Sequence, residues 1–163
     1  MKVTLDAASA EDAADLVALH TAVNEDLAAR YGIQPAAVSE RGILFSMKWG
    51  TVYLARDRGK PIATLRLSTR KPWAIDRKYF AGCTRPLFLT SMAVHPKMQG
   101  KGVGRECLAQ AARFAREWPA DAIFLDADDR RWGAGGFYAK CGYREVGRGT
   151  YRVEPLIYYE MLL

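Results

Sequence analysis

A basic, glycine-rich segment near the middle of the chain has the residue types that bind anions. Residues 99–104 read QGKGVG, after the β-prone run PLFLTSMAVHP at 86–96. At 103–118 the apolar residues recur with a helical period, so the predicted order is strand, tight loop, helix. Such a loop directs several free backbone N–H groups to one point, and the helix dipole adds about half a positive charge there. The segment therefore predicts an anion site, with phosphate as the usual occupant.

The spacing of the glycines excludes two familiar nucleotide loops. A dinucleotide fingerprint would need its third glycine at Arg105, and a P-loop would need Ser or Thr where Gly102 follows Lys101. A glycine-rich turn into a core helix, with no ligand, is the alternative interpretation.

A second motif lies at residues 134–143, AGGFYAKCGY, in which Tyr138 is the fifth residue and Gly142 the ninth. The two motifs together resemble those of the GNAT superfamily of acyl-CoA N-acetyltransferases. Residues 99–104 resemble its Q/R-x-x-G-x-G/A loop, and residues 134–143 resemble its A-x-x-x-Y-x-K-x-G-F motif, in the same order. One departure is Arg131, which stands where the family often has Asn, so the role of that Asn does not carry over.

The resemblance implies a binding site for acetyl-CoA. Backbone groups of one strand would pair with pantetheine, and N–H groups of the loop would bind the pyrophosphate. An arginine could contact phosphate or pantetheine, and a tyrosine would lie near the sulfur. The strand that pairs with pantetheine would be Met92, Ala93 and Val94, and the pyrophosphate loop would be Gln99, Gly100, Lys101, Gly102, Val103 and Gly104. The arginine would be Arg131, and the tyrosine near the sulfur would be Tyr138.

The resemblance implies transfer of an acetyl group from acetyl-CoA to an amine of a small molecule or peptide, by direct attack in a ternary complex. The amine must be neutral to attack, although a lysine-type amine has a pKa near 10.4. The N–H of Val94 could stabilise charge on the thioester oxygen, and Tyr138 would protonate the departing thiolate. An ordinary core aromatic is the alternative for Tyr138.

The sequence does not identify the base that takes the proton of the amine. Asp76, Glu40 and His95 are candidates, while Thr90 and Ser91 could order a water molecule.

Residues 70–86 interrupt the strand pattern with many aromatic and charged side chains. The segment is long for a link between strands, and such loops in compact domains are usually functional or disordered. Its aromatic content favours a packed flap, which we expect to form one wall of the acceptor site through Trp73, Asp76 and Tyr79.

The order of segments predicts one α/β (α+β) domain over residues 1–163. We expect a GNAT-like mixed, mostly antiparallel sheet of six or seven strands, flanked by about four helices. The second helix is predicted to begin near Pro35 and to end at Gly50. The apolar terminal strand 156–163, LIYYEMLL, could pair across a homodimer.

Composition and charge bound the remaining function classes. No apolar run reaches the ~20 residues of a membrane span, and the three cysteines predict reduced thiols in the cytoplasm rather than a metal site. The net charge is +6, but the basic residues form no run, so nucleic acid is a weak third hypothesis. The second hypothesis, after an N-acetyltransferase, is a non-catalytic acyl-CoA-binding module with the same fold.

Overall fold

A computed structural model describes residues 2–163. In chain order the elements are β1 (Leu5–Ala7), α1 (Ala13–Tyr31), α2 (Glu40–Met47), β2 (Thr51–Asp57), β3 (Lys60–Ser68), β4 (Pro86–Val94), α3 (Val103–Glu117), β5 (Ala122–Asp128), α4 (Gly135–Lys140), β6 (Arg144–Tyr151) and β7 (Glu154–Leu162). The seven strands are ordered β1-β2-β3-β4-β5-β7-β6. Strands β4 and β5 run parallel, whereas the pairs β1–β2, β2–β3, β5–β7 and β6–β7 are antiparallel. The predicted mixed, mostly antiparallel sheet with four helices is therefore confirmed.

The first of two compact units runs to Leu67 and resumes over Ser91–Gln110. Its core joins one face of α1, including Leu16 and Leu19, to apolar side chains of α2 and β2. Helix α2 begins at Glu40 and not near Pro35, because the side chain of Ser39 accepts the backbone N–H of Gly42 at 3.1 Å. The predicted start of this helix was therefore wrong, since the Ser39 cap fixes its first turn.

The second unit comprises Ser68–Thr90 and Ala111–Leu163. One face of its strands carries a cluster of buried residues: Ile75, Phe80, Phe88, Ala122, Phe124, Leu156 and Tyr158. Two of these, Ile75 and Phe80, come from the segment between β3 and β4, and the Phe80 and Phe124 ring centroids are 4.4 Å apart. The segment is thus packed onto the strands, as its aromatic content predicts, and we call it the flap.

Strand β7 is paired on both of its sides, with β5 and with β6. The expectation that residues 156–163 pair across a dimer is therefore wrong, because their backbone hydrogen-bonding edges are already used within the chain. None of the helices found in residues 2–163 is long and apolar enough to cross a membrane.

Candidate functional site

The loop before α3 presents open backbone at its two left-handed glycines. Gly100 has φ 73° and Gly102 has φ 83°, a conformation that L side chains rarely adopt. A Cβ atom built on either residue would have no other protein atom within 4 Å. Both glycines are exposed, so a ligand can approach the backbone there directly.

Local hydrogen bonds hold this loop against the end of β4 and the start of α3. The Nε2 group of Gln99 donates to the carbonyl oxygen of Val94 at 3.0 Å. The N–H of Glu106 donates to the carbonyl oxygen of Gly102 at 3.1 Å, which closes the first turn of the helix. Val103 and Gly104 are buried in that turn, whereas Lys101 projects into solvent. A fixed helix start, an open glycine backbone and an exposed cation together fit the pyrophosphate of coenzyme A.

Strand β4 is paired with β5 only along its first part, well before the glycine loop. Its parallel register with β5 covers Pro86–Phe88, opposite Ala122–Phe124, and both strands continue beyond that stretch. Ser91 has a φ of 53°, which interrupts the extended backbone. Met92, Ala93 and Val94 therefore lie past the stretch of β4 that is paired with β5.

Tyr138 is buried on α4 among aromatic side chains of the same unit. Its ring centroid is 5.9 Å from that of Tyr143 and 5.9 Å from that of Tyr159. Gly135 permits this packing, because a Cβ there would lie 3.1 Å from the Cδ1 of Ile157 on β7. The missing side chain therefore lets helix α4 approach strand β7 closely at this point.

The pKa of the Tyr138 phenol lies well above its usual range. Burial is the main cause, and the negative charge of Asp126 raises it further. A buried phenol can assist a leaving thiolate through a lowered pKa or through a hydrogen bond that shares its proton, and the raised pKa of Tyr138 leaves the second of these. The phenol therefore keeps its proton throughout the physiological pH range.

The three flap residues proposed for the acceptor site differ in their surroundings. Trp73 is 81% exposed. Asp76 is also exposed, and the Lys78 backbone N–H that it accepts at 3.1 Å lowers the pKa of its carboxyl. Tyr79 is half-buried and stacks on Tyr158 with centroids 5.1 Å apart. Trp73 and Asp76 can meet an incoming molecule, while Tyr79 fixes the flap to β7.

The base candidates taken from the sequence are scattered over the chain. Glu40 is exposed in the first turn of α2. The Nδ1 atom of His95 accepts the backbone N–H of Lys97 at 3.2 Å, so that nitrogen already caps a turn. The Oγ1 atom of Thr90 is buried and finds no hydrogen-bond partner within residues 2–163. Arg131, the position that departs from the family pattern, is exposed.

Sequence reasoning assigned no role to Asp126, the first acidic residue after the buried run AIFL of β5. Burial raises the pKa of its carboxyl, and its own backbone N–H only partly offsets that effect. A shifted acid in a strand interior is a frequent mark of a functional site. The signal in the sequence is the first acidic residue directly after four consecutive buried apolar residues of β5.

Comparisons with known proteins agree with this geometry. The family model described as the Acetyltransferase (GNAT) family matches residues 8–143. A comparison with curated proteins finds no match.

Solved structures share the fold at low sequence identity. A ribosomal-protein-alanine N-acetyltransferase from Brucella melitensis is 19% identical, over 98% of this chain and 99% of that chain, with a TM-score of 0.72. An N-acetyltransferase from Staphylococcus aureus Mu50 is 14% identical over 99% of both chains, with a TM-score of 0.71. A Salmonella typhimurium protein solved with its cofactor acetyl-CoA is 17% identical, over 98% of this chain and 93% of that chain, with a TM-score of 0.68.

The match to the family model extends over most of the chain, from just after β1 through the second motif. It therefore includes both the glycine loop and Tyr138. The chain belongs to the GNAT family of acetyltransferases, enzymes that use acetyl-CoA.

Proposed function

We propose that this acetyltransferase moves the acetyl group of acetyl-CoA to the amine of a small molecule or peptide, by direct attack in a ternary complex. The observation that carries the proposal is the open backbone at Gly102, beside the fixed start of α3. We treat residues 1–163 as one acetyltransferase domain, because the family match includes residues of both compact units.

The chain's own groups would hold the cofactor at two places. The N–H groups of residues 99–104 and the ammonium of Lys101 would bind the pyrophosphate, where a charge-assisted hydrogen bond is about twice as strong as a neutral one. The backbone of Met92–Val94 would align pantetheine, and the exposed guanidinium of Arg131 would contact phosphate or pantetheine. Acetyl-CoA, when bound, supplies the acetyl thioester.

Tyr138 would then donate the proton that the departing thiolate needs. Its raised pKa keeps the phenol protonated, so the acid form is present whenever the enzyme works. Full transfer from such a weak acid to a thiolate is uphill, and the phenol therefore acts through a hydrogen bond that shares its proton as the C–S bond breaks. The N–H of Val94 would stabilise the charge that develops on the thioester oxygen.

The acceptor would approach over the flap. Trp73 and Asp76 offer an exposed ring and an exposed carboxylate, a combination that attracts a cationic amine. We place the enzyme in the cytoplasm, where the three free thiols Cys83, Cys107 and Cys141 would stay reduced.

The test is thiol release from acetyl-CoA in the presence and absence of amines. The panel contains tyramine, spermidine and a short peptide with a free N-terminus, and calorimetry measures acetyl-CoA binding separately. We expect at least one amine to accelerate thiol release. Binding of acetyl-CoA with no acceleration by any amine would overturn the proposal and favour a non-catalytic acyl-CoA-binding module.

A further inference from the structure

A cavity of about 530 Å³ lies within the second compact unit, where the flap meets the first residues of β4. Its lining combines hydroxyl groups, cations and apolar side chains. These are Thr69 and Thr84; Lys71, Arg77 and Arg85; and Pro86, Phe88 and Trp118. The volume is typical of small-molecule sites, which occupy about 300–1,000 Å³. Neither Trp73 nor Asp76, the flap residues proposed to meet the acceptor, lines this cavity.

The charged side chains of the lining all have the same sign. Three cations line the cavity, and the lining includes no carboxylate. Within residues 2–163 none of Lys71, Arg77 and Arg85 forms an ion pair with an acid. The charge of Lys71 acts on Asp76, but that exposed carboxylate pairs with Lys78 at 3.4 Å. Because like charges repel one another, an anion bound among the three cations would be stabilised.

Two of the cations are held in position by backbone carbonyl groups of the flap. The ammonium of Lys71 donates to two carbonyl oxygens, at 3.0 and 2.7 Å. The guanidinium of Arg77 donates to the carbonyl oxygen of Cys83 at 3.1 Å, and its central carbon lies 5.0 Å from the ring centroid of Phe124. An ammonium has three N–H donors and a guanidinium has five. Both groups therefore keep donors for an anion after these contacts are made.

The third cation, Arg85, stands on backbone that a carboxylate fixes. Asp121 accepts the backbone N–H groups of Thr84 and Arg85 at 2.8 and 3.0 Å, and the hydroxyl of Thr84 at 3.1 Å. The side chain of Arg85 is exposed and forms no hydrogen bond among the described residues. A frame that is already ordered reduces the entropy lost on binding. Arg85 thus offers an unused guanidinium on preorganised backbone.

The apolar part of the lining includes a large exposed ring. Trp118 follows α3, and 57% of its surface is exposed. Its backbone N–H donates to the carbonyl oxygen of Phe114 at 3.1 Å, which fixes the chain at the end of the helix. Aromatic rings stack on one another in offset or edge-to-face arrangements, and guanidinium groups bind carboxylates and phosphates through paired hydrogen bonds. The lining therefore suits a flat molecule that carries an oxyanion.

We propose that this cavity is a second ligand site, which binds a small aromatic carboxylate or phosphate. Its anionic group would lie at Lys71, Arg77 and Arg85, and its ring would lie against Trp118. The proposal does not depend on acetyl transfer, because none of residues 92–94 or 99–104 lines the cavity. A ligand bound there would join the flap to the residue that follows α3, so binding should raise the melting temperature of the protein.

The first measurement is the binding of four probes to the wild-type protein, followed by NMR at low ionic strength, where charges are least screened. Benzamide is the neutral match of benzoate, and inorganic phosphate is the match of phenyl phosphate without its ring. We expect benzoate and phenyl phosphate to bind more tightly than their matches, and the lower Kd of the two identifies the preferred anionic group. Equal binding of benzamide and benzoate, or of inorganic phosphate and phenyl phosphate, would overturn the proposal.

The second measurement assigns this binding to the cavity. Arg85→Gln should raise the Kd for phenyl phosphate by about tenfold or more, because a hydrogen bond between charged groups is lost. Arg116→Gln is the matched control, since Arg116 is an exposed cation of α3 that does not line the cavity. Trp118→Ala should raise the Kd for phenyl phosphate several-fold and leave that for inorganic phosphate unchanged. Equal weakening by both arginine variants would indicate attraction to net positive charge alone and overturn the proposal.

The third measurement separates the cavity from the cofactor site. Phenyl phosphate is titrated again in the presence of saturating acetyl-CoA, which itself carries phosphates and an aromatic base. We expect an unchanged Kd, and loss of phenyl phosphate binding would assign the cavity to the cofactor and overturn a second site. Failure of benzoate and phenyl phosphate to bind would overturn the inference and leave the proposed function intact. Failure of acetyl transfer would overturn the proposed function and leave this inference intact.

Discussion

Gly102→Ala should weaken acetyl-CoA binding while the protein remains folded. Gly102 has φ 83°, and an L-residue in the left-handed region costs roughly 1–2 kcal/mol. For a domain of this size that corresponds to a fall in melting temperature of about 2–8 °C. The added methyl group meets no protein atom within 4 Å, so no steric clash adds to this loss of stability.

A phosphate seated against this backbone would meet the methyl group. A hydrogen bond to a charged group is worth about 1.5–3 kcal/mol, and tenfold in affinity is about 1.4 kcal/mol. Loss of one N–H contact to phosphate should therefore raise the Kd for acetyl-CoA by about tenfold or more. Isothermal titration calorimetry measures this value, and thermal unfolding measures the stability cost in the same preparation.

Gly59→Ala is the matched control for backbone strain. Gly59 has φ 78°, lies in the turn between β2 and β3, and also has no protein atom within 4 Å of a built Cβ. It should lose similar stability and keep the wild-type Kd. If Gly102→Ala also keeps the wild-type Kd, the phosphates bind elsewhere. If Gly59→Ala weakens binding equally, the loss reflects stability and says nothing about the loop.

Three further substitutions test the remaining roles. Tyr138→Phe keeps the ring and should lower kcat by at least about tenfold with little change in acetyl-CoA affinity; an unaltered kcat with chemistry rate-limiting would reduce it to a packing residue. Trp73→Ala should leave stability within about 0.5 kcal/mol, since this side chain is 81% exposed, and should raise the acceptor KM alone; an unchanged KM would place the acceptor elsewhere. Gly147→Ala puts a Cβ 2.3 Å from the Cδ1 of Tyr79 and should cost about 1–3 kcal/mol in urea unfolding; no loss would mean that the Tyr79 ring moves freely.

Features set by near neighbours in the chain could be predicted from the sequence. The loop at 99–104 and the start of α3 depend on glycine spacing and on a helical period within about twenty residues. The order of elements likewise predicted the mixed sheet and its four helices. The start of α2 was missed because a single cap residue, Ser39, overrides the proline signal that precedes it.

Features that depend on pairing between distant segments could not be predicted in the same way. Residues 156–163 end the chain, yet β7 lies between β5 and β6, and only non-local pairing decides this order. The direction of the Tyr138 pKa shift depends on burial and on the carboxylate of Asp126 in β5, and a linear motif contains neither.

The most direct test of acetyl transfer follows the acetyl group itself. Acetyl-CoA labelled with ¹³C in the acetyl group is incubated with the wild-type enzyme and the amine panel, and the products are identified by NMR and mass spectrometry. We expect the label in an N-acetyl amide, formed in equal amount to free coenzyme A and strongly reduced in Tyr138→Phe. Label that remains in acetyl-CoA, or that appears only as acetate, would contradict transfer to an amine.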